Sequence, residues 1–178
     1  MSNDNKYSEK LLIFRAINGE PEAFGSLFDL YSRRIYRYIY FKVSNEQLAE
    51  DLASQAFLKV WEYIYKGKRI KNFKSFIYQT ARNLVIDYYR SREKKELPLI
   101  YISEELVDEI KVDPDQEIDR EALKKLLNTL NTDQKEIIIL RYIEEMTIRE
   151  ISNIVDKSTG HVRVLIHRAL KDLRKYIK

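Results

Sequence analysis

The sequence predicts an all-α fold of two helical modules joined by an acidic linker. Apolar residues recur at spacings of three and four almost throughout its 178 residues. Only 4 glycines and 3 prolines interrupt that pattern, too few for a turn-rich β fold, and no β-hairpin signal stands between alternating runs. Between about 96 and 119 the periodicity lapses, Pro98 and Pro114 appear, and acidic residues crowd together. The expected boundaries are therefore a four-helix module over 1–95, a linker over 96–119 and a second helical module over 120–178.

Each element has its own signature. Leu11, Leu12, Ala16 and Ile17 mark a first helix, stopped by Asn18-Gly19. Pro21 suits the first turn of a second, which carries Phe24, Leu27, Phe28, Tyr31, Ile35, Tyr38 and Ile39. Ser44 with Gln47 three residues on reads as a capping box opening a third helix. Its apolar face holds Leu48, Leu52, Phe57, Val60, Trp61 and Ile64, and Lys66-Gly67-Lys68 breaks it. A fourth helix covers Lys74 to Arg92, with Ile77, Ala81, Leu84 and Val85 inward. After Pro114 helical spacing resumes at Ile118, Leu123, Leu126 and Leu127, then stops around 128–131. Thr132 or Asp133 caps the next helix, with Ile137, Ile138 and Leu140 on its core face.

Composition excludes much. Without cysteine there are no disulfides, no thiol catalysis and no Cys-based zinc site. Two histidines, both late in the chain, offer little to a catalytic metal centre, so neither metal nor cofactor is expected. The start MSNDNKYSEK has no apolar signal core, and no window approaches 18 uninterrupted apolar residues. A soluble, cytoplasmic protein is expected, with no direct membrane insertion. Adjacent carboxylates such as Glu50-Asp51 and Glu144-Glu145 point apart on helices and do not form acid/base pairs, so no catalytic residue is assigned.

The net charge of +4 hides segregation. Residues 59–95 hold eleven basic and three acidic side chains, 96–122 two basic and ten acidic, and 157–178 seven basic and one acidic. Two cationic blocks separated by an acidic spacer suggest two polyanion-binding surfaces.

The most specific segment is 147–174. Thr147 and Glu150 form a capping box before a short helix with Ile148, Ile151 and Val155 inward. Asp156 tolerates the left-handed backbone of a tight interhelical turn. A second helix starts near Ser158 or Thr159 and buries Val162, Leu165, Ala169, Leu170 and Leu173. Short helix, tight turn and longer basic helix make a helix-turn-helix, which sets its second helix in the major groove. Ser158, Thr159, His161, Arg163, Val164 and His167 then face base edges; Arg163 suits guanine and Val164 a thymine methyl. Arg168, Lys171, Arg174 and Lys175 suit phosphates.

The segment 61–95 interleaves its charge with eight aromatics: Trp61, Tyr63, Tyr65, Phe73, Phe76, Tyr78, Tyr88 and Tyr89. Flat rings stack on unpaired bases while cations follow the backbone. The loop KGKRIKN, 66–72, is placed to rim a pocket for an extruded base. Helical spacing assigns Trp61, Phe73 and Phe76 to the core, and of the adjacent Tyr88 and Tyr89 at least one is exposed.

Together these features resemble the extracytoplasmic-function (ECF, group IV) sigma factors of bacterial RNA polymerase, over about 11–95 and 120–176. AFGSLFDLYSRRIYRYI, 23–39, looks like that family's first conserved helix. AEDLASQAFLKVWE, 49–62, is similar to the segment gripping the clamp helices of the largest polymerase subunit, except that the usual Gln-Glu pair reads Ser54-Gln55. FIYQTARNLVIDYYRSREK resembles the helix that reads the melted −10 element, with Phe76-Ile77 in place of Trp-Leu. LNTLNTDQKEIIILRY, EIS and STGHVRVLIHRALKDLR look like the −35 reader, with Asp156 for the common turn glycine and His161 for a common threonine.

The resemblance implies sigma region 2 and region 4 modules. It gives core-polymerase contacts at Glu50, Asp51, Ser54, Gln55 and Lys59 and −10 contacts at Lys68, Arg69, Lys71, Asn72, Asn83, Asp87 and Arg90. The helix-turn-helix residues become the −35 set. Implied partners are core RNA polymerase (clamp helices and flap), promoter DNA and an anti-sigma protein, which would hold the chain at the inner membrane. No stable homo-oligomer is expected when it is active. The competing expectation is a stand-alone helix-turn-helix regulator that binds DNA without polymerase; it accounts for 147–174 but not for the basic aromatic block.

Overall fold

The computed structural model describes residues 3–94 and 114–176. The described residues form helices and no strand: α1 (Asn3–Ile17), α2 (Pro21–Val43), α3 (Glu46–Tyr65), α4 (Phe73–Lys94), α5 (Pro114–Asn128), α6 (Thr132–Ile138) continuing into a π-helical turn (Ile139–Ile143), α7 (Ile148–Val155) and α8 (Thr159–Leu173). Most of the acidic stretch, 95–113, lies outside the described residues; helix resumes at Pro114 itself, earlier than Ile118.

The helix ends show which local signals prevail. Gly19 ends the first connection at φ +88°, where a β-carbon would be strained, and Pro21 opens α2. Ser44 does not cap α3. It takes the left-handed position closing α2, at φ 55°, and gives its N–H to the Tyr40 carbonyl. A residue held there cannot also adopt the extended backbone of an N-cap, so Asn45 takes that role, its Oδ1 accepting from Leu48 N at 2.8 Å. The cap of α6 likewise lies before both candidates, one residue ahead of Thr132 and two ahead of Asp133: Asn131 and Gln134 form the reciprocal box. An amide side chain accepts the N3 donor while its own backbone stays extended, and Thr132 is left as the first helical residue. The Thr147–Glu150 box forms as read, and Ser158 caps α8.

Aliphatic side chains and the rings of Tyr31, Tyr38, Phe57, Phe73 and Tyr78 share the core of α1–α4. Leu27, Ile35, Ile39, Ala49, Phe73, Ile77 and Ala81 are fully or almost fully buried. Phe28 is 43% exposed and meets Phe57 edge to face at 4.7 Å between centroids. Phe73 is buried, whereas Trp61 and Phe76 are half-buried, packed on Phe24 (4.9 Å) and Tyr63 (4.6 Å). In α5–α8 the core is aliphatic: Leu127, Ile137, Ile139, Leu140, Met146, Ile151, Val155, Val162 and Ala169. The π turn widens the end of α6, so that Ile137, Ile138, Ile139 and Leu140 are all buried.

Candidate nucleic-acid interface

The α7–α8 pair is built for a fixed crossing. Asp156 closes α7 in the left-handed conformation (φ 55°, ψ 48°), with its N–H on the Ser152 carbonyl. The Ser152 hydroxyl donates to the Lys157 carbonyl at 2.6 Å, tying the turn from the other side. Ser158 then caps α8 by accepting from His161 N at 3.2 Å. Val162, Leu165, Ala169 and Leu173 face the core, with Leu170 half-buried, and Ile154 joins Ile151 and Val155 on the inner face of α7. That burial leaves Ser158, Thr159, His161, Arg163, Val164 and His167 exposed along one side of α8, Val164 by 48%. Arg168, Lys171, Arg174 and Lys175 are exposed further along, Lys175 paired with Asp172 at 2.7 Å. Asp172 also accepts from Gln134 at 3.0 Å, which locks α8 to α6.

On α4, Asn83, Asp87 and Arg90 are exposed at intervals of four and three, and so share one helix face. The preceding loop exposes Lys68, Arg69 and Lys71, while buried Ile70 pins it and Gly67 turns it at φ +71°. Asn72 is exposed but already employed: its Oδ1 accepts from Ser75 N at 2.9 Å, capping α4. Of the eight aromatics, Phe73 and Tyr78 are wholly buried. Tyr65 is 81% exposed beside the loop, and Lys68 lies over the Tyr63 ring. Tyr89 is 42% exposed, with Tyr88 half-buried against it. The two rings available beside the cations are therefore Tyr65 and Tyr89.

On α3, Glu50, Asp51, Ser54, Gln55 and Lys59 are all exposed. Sequence periodicity overlooked Leu58, 57% exposed on this polar side. The signal was an apolar residue that breaks step with the buried series Leu52, Ala53, Ala56, Phe57, Val60 and Ile64.

Comparison with known proteins decides the family. Residues 27–95 match Sigma-70 region 2, and residues 126–175 match Sigma-70, region 4. The ECF RNA polymerase sigma factor SigW of Bacillus subtilis is 30% identical over 175 residues, covering 90% of this chain and 91% of its own length. The chain belongs to the ECF RNA polymerase sigma factors. The ECF sigma factor BldN of Streptomyces coelicolor is 31% identical over 93% of this chain, which spans 64% of BldN. The fold is also that of two solved structures. One is CnrH in complex with the cytosolic domain of CnrY (TM-score 0.74, 19% identity, 96% of this chain and 97% of that one). The other is RpoE of Bartonella quintana in complex with the anti-sigma factor NepR (TM-score 0.70, 22% identity, 86% and 96%).

In this sigma factor the two helical groups meet along a polar seam that sequence reading missed. Glu144, fully buried, accepts from Arg37 Nε at 2.8 Å and Tyr78 Oη at 2.7 Å, with Arg34 Nε at 3.5 Å. Glu144 therefore lies at the C-terminal end of the π turn and not on a helix face, and Glu145 follows with φ 54°. Glu136, 3% exposed, accepts from Tyr38 Oη at 2.6 Å, from Lys42 Nζ, and from Arg82 Nε at 3.2 Å. The Tyr38 and Tyr78 rings meet edge to face at 5.3 Å between the two glutamates. At the far end Lys74 pairs with Glu150 at 2.9 Å and Gln79 donates to the Asn153 carbonyl at 2.6 Å.

Burial alone would raise the Glu136 pKa; the Lys42 ammonium, the hydrogen bonds from Lys42 and Tyr38, and Arg82 outweigh it and hold the carboxyl below its ordinary value. Both tyrosines are pushed up, first by burial and then by the glutamates they serve, so they remain neutral donors. Beside this network a cleft of about 550 Å³ opens between α4 and α6, lined by Tyr89, Arg90, Leu130 and Lys135 among others. There burial, then the charges of Lys42 and Lys124, pulls Lys135 down to about 8. No described helix is long and apolar enough to cross a membrane, and no described cluster of His, Asp or Glu is placed to hold a metal ion.

Proposed function

We propose that this sigma factor binds core RNA polymerase through the exposed side of α3, captures the melted −10 element with α4 and the 66–72 loop, and reads the −35 element as duplex with α8. The observation that carries this is the α8 stripe, six exposed side chains from Ser158 to His167 projected by a turn fixed at Asp156 and Ser152. A helix so presented offers its N-terminal half to base edges and its basic C-terminal half to phosphates. Asn83, Asp87 and Arg90 contact the −10 strand, with Tyr65 and Tyr89 as stacking surfaces. Glu50, Asp51, Ser54, Gln55 and Lys59, with Leu58 among them, meet the polymerase clamp helices, and the second module meets the flap.

In this reading the units are 1–95 and 120–178, and the acidic 96–119 stretch tethers them, so each weak contact raises the effective concentration of the other. The chain contributes binding and no catalytic group; nucleotide addition belongs to the polymerase. An anti-sigma protein is its expected antagonist, as NepR is named for the RpoE to which the fold is similar. The stand-alone regulator predicts a footprint without polymerase. Footprinting a promoter with protein alone, core alone and both separates them: protection of both elements only with both present is expected, and full protection by the protein alone would refute the proposal.

A further inference from the structure

We propose that the cleft between α4 and α6 binds a small phosphorylated ligand with a flat ring, of the nucleoside monophosphate class. Arg90 and Lys135 take the phosphoryl group, and Tyr89 with Leu130 takes the ring. At about 550 Å³ the cleft falls in the range that holds small ligands, about 300–1,000 Å³. Its charge is unbalanced. Lys42 and Glu136 both line it and pair with each other, and Arg82 adds a second cation to the same carboxylate. Arg90 and Lys135 share that lining, and among the described residues no carboxylate pairs with either. The Lys135 ammonium carries three N–H donors, of which one goes to a neutral partner, Asn128 Oδ1, at 2.8 Å. A phosphomonoester carries a charge of about −1.5 to −2 at pH 7, which matches two uncompensated cations, whereas a carboxylate would neutralise only one.

The rest of the lining is apolar or neutral. Val85 and Leu130 belong to the core, Ile86 is half-buried, and the Tyr89 ring is 42% exposed. Asn128 and Thr132 are exposed and supply neutral donors and acceptors. Apolar walls with a few polar groups and a charged anchor are how small-molecule sites are composed. Tyr89 and Arg90 also belong to the proposed −10 face, so an occupied cleft withholds both from the promoter strand. That consequence rests on the sigma-factor reading; the binding site does not.

The site carries its own pH signature. Lys135 is faced by Lys42 from α2, Tyr89 and Arg90 from α4, Lys124 from α5, and Glu136 beside it on α6. Burial and the charges of Lys42 and Lys124 hold it at about 8. A phosphate seated on Lys135 opposes that repulsion, so binding raises its pKa and draws in a proton. Affinity should therefore fall as pH rises through about 8.

Titration calorimetry of the full chain with AMP, in the absence of DNA and polymerase, tests the site apart from any role in transcription. AMP should bind with a Kd of about 1 mM or tighter. Ribose 5-phosphate and inorganic phosphate, which lack the ring, should bind about tenfold more weakly. Lys135→Gln and Arg90→Gln should each weaken AMP about tenfold with helix content retained, whereas Lys10→Gln, exposed on α1, should leave it unchanged. No binding of AMP, or equal weakening by Lys10→Gln, would overturn the site. Inorganic phosphate as tight as AMP would overturn the ligand class. The pH profile needs no variant, and so it decides the matter even where Lys135→Gln fails to fold. Several-fold weaker binding at about pH 9 than at about pH 7.5 is expected, and a flat profile would remove Lys135 from the site.

Discussion

Arg163 and Asp156 are the residues on which the −35 reading turns. Arg163 is exposed on the N-terminal half of α8, where a bidentate guanine contact is worth about 1–3 kcal/mol. Arg163→Ala should weaken binding to a −35 duplex by that amount and erase base preference at one position; competition with single-base-substituted duplexes measures both. Asp156 holds φ 55°, a region that costs a residue with a β-carbon about 1 kcal/mol. Asp156→Gly should therefore raise stability by up to about 1 kcal/mol in urea unfolding, and Asp156→Val should lower it. Asn83→Ala should reduce open-complex formation, read by permanganate footprinting, without changing polymerase binding; equal loss of both would make Asn83 structural. The α8 stripe was legible in the sequence because six outward residues alternate with an apolar series at helical spacing. The roles of Glu136 and Glu144 were not, because a glutamate in an apolar run reads as solvent-facing until the partner helix supplies its cations.

At the scale of elements, caps and turns decided where helices begin. The Thr147–Glu150 box was readable because nothing else competes for Thr147. Ser44 and Gln47 have the same spacing, but the end of α2 claims Ser44 first, a competition between neighbouring elements that a four-residue pattern does not contain. Thr147→Ala should cost about 1 kcal/mol in chemical denaturation, and it should also loosen the Lys74–Glu150 pair, because the Thr147 hydroxyl donates to the same carboxylate at 2.8 Å. The π turn after α6 was equally hidden. A run of four apolar residues fits a continuous helix as well as a widened one, and the distinction appears only where Glu144 N–H reaches the Ile139 carbonyl.

For the whole molecule, acid should act on the seam. Glu136 titrates below the ordinary carboxylate range. Glu150 is also depressed: burial opposes this, but the Thr147 N–H, Lys74 and the Thr147 hydroxyl prevail. A depressed carboxylate lends stability that is complete above its ordinary pKa and is lost as pH falls through its folded value. The groups facing Glu136 are Tyr38 and Lys42 from α2 and Arg82 from α4. The cations and neutral tyrosine do not titrate in this window, so stability in urea unfolding should fall as the pH drops below the ordinary carboxylate range. Glu136→Gln should flatten that response.

If the stretch 96–119 tethers the two modules as proposed, cutting the chain near Glu105 should abolish promoter-dependent initiation while both halves keep their helices. Whether this chain confers promoter choice on core polymerase is read by run-off transcription on pooled genomic fragments. Discrete starts that appear only when the protein is added, preceded by a shared pair of elements at constant spacing, are the predicted result. Fragments bound by the protein alone, with no new starts from an active core enzyme, would contradict it.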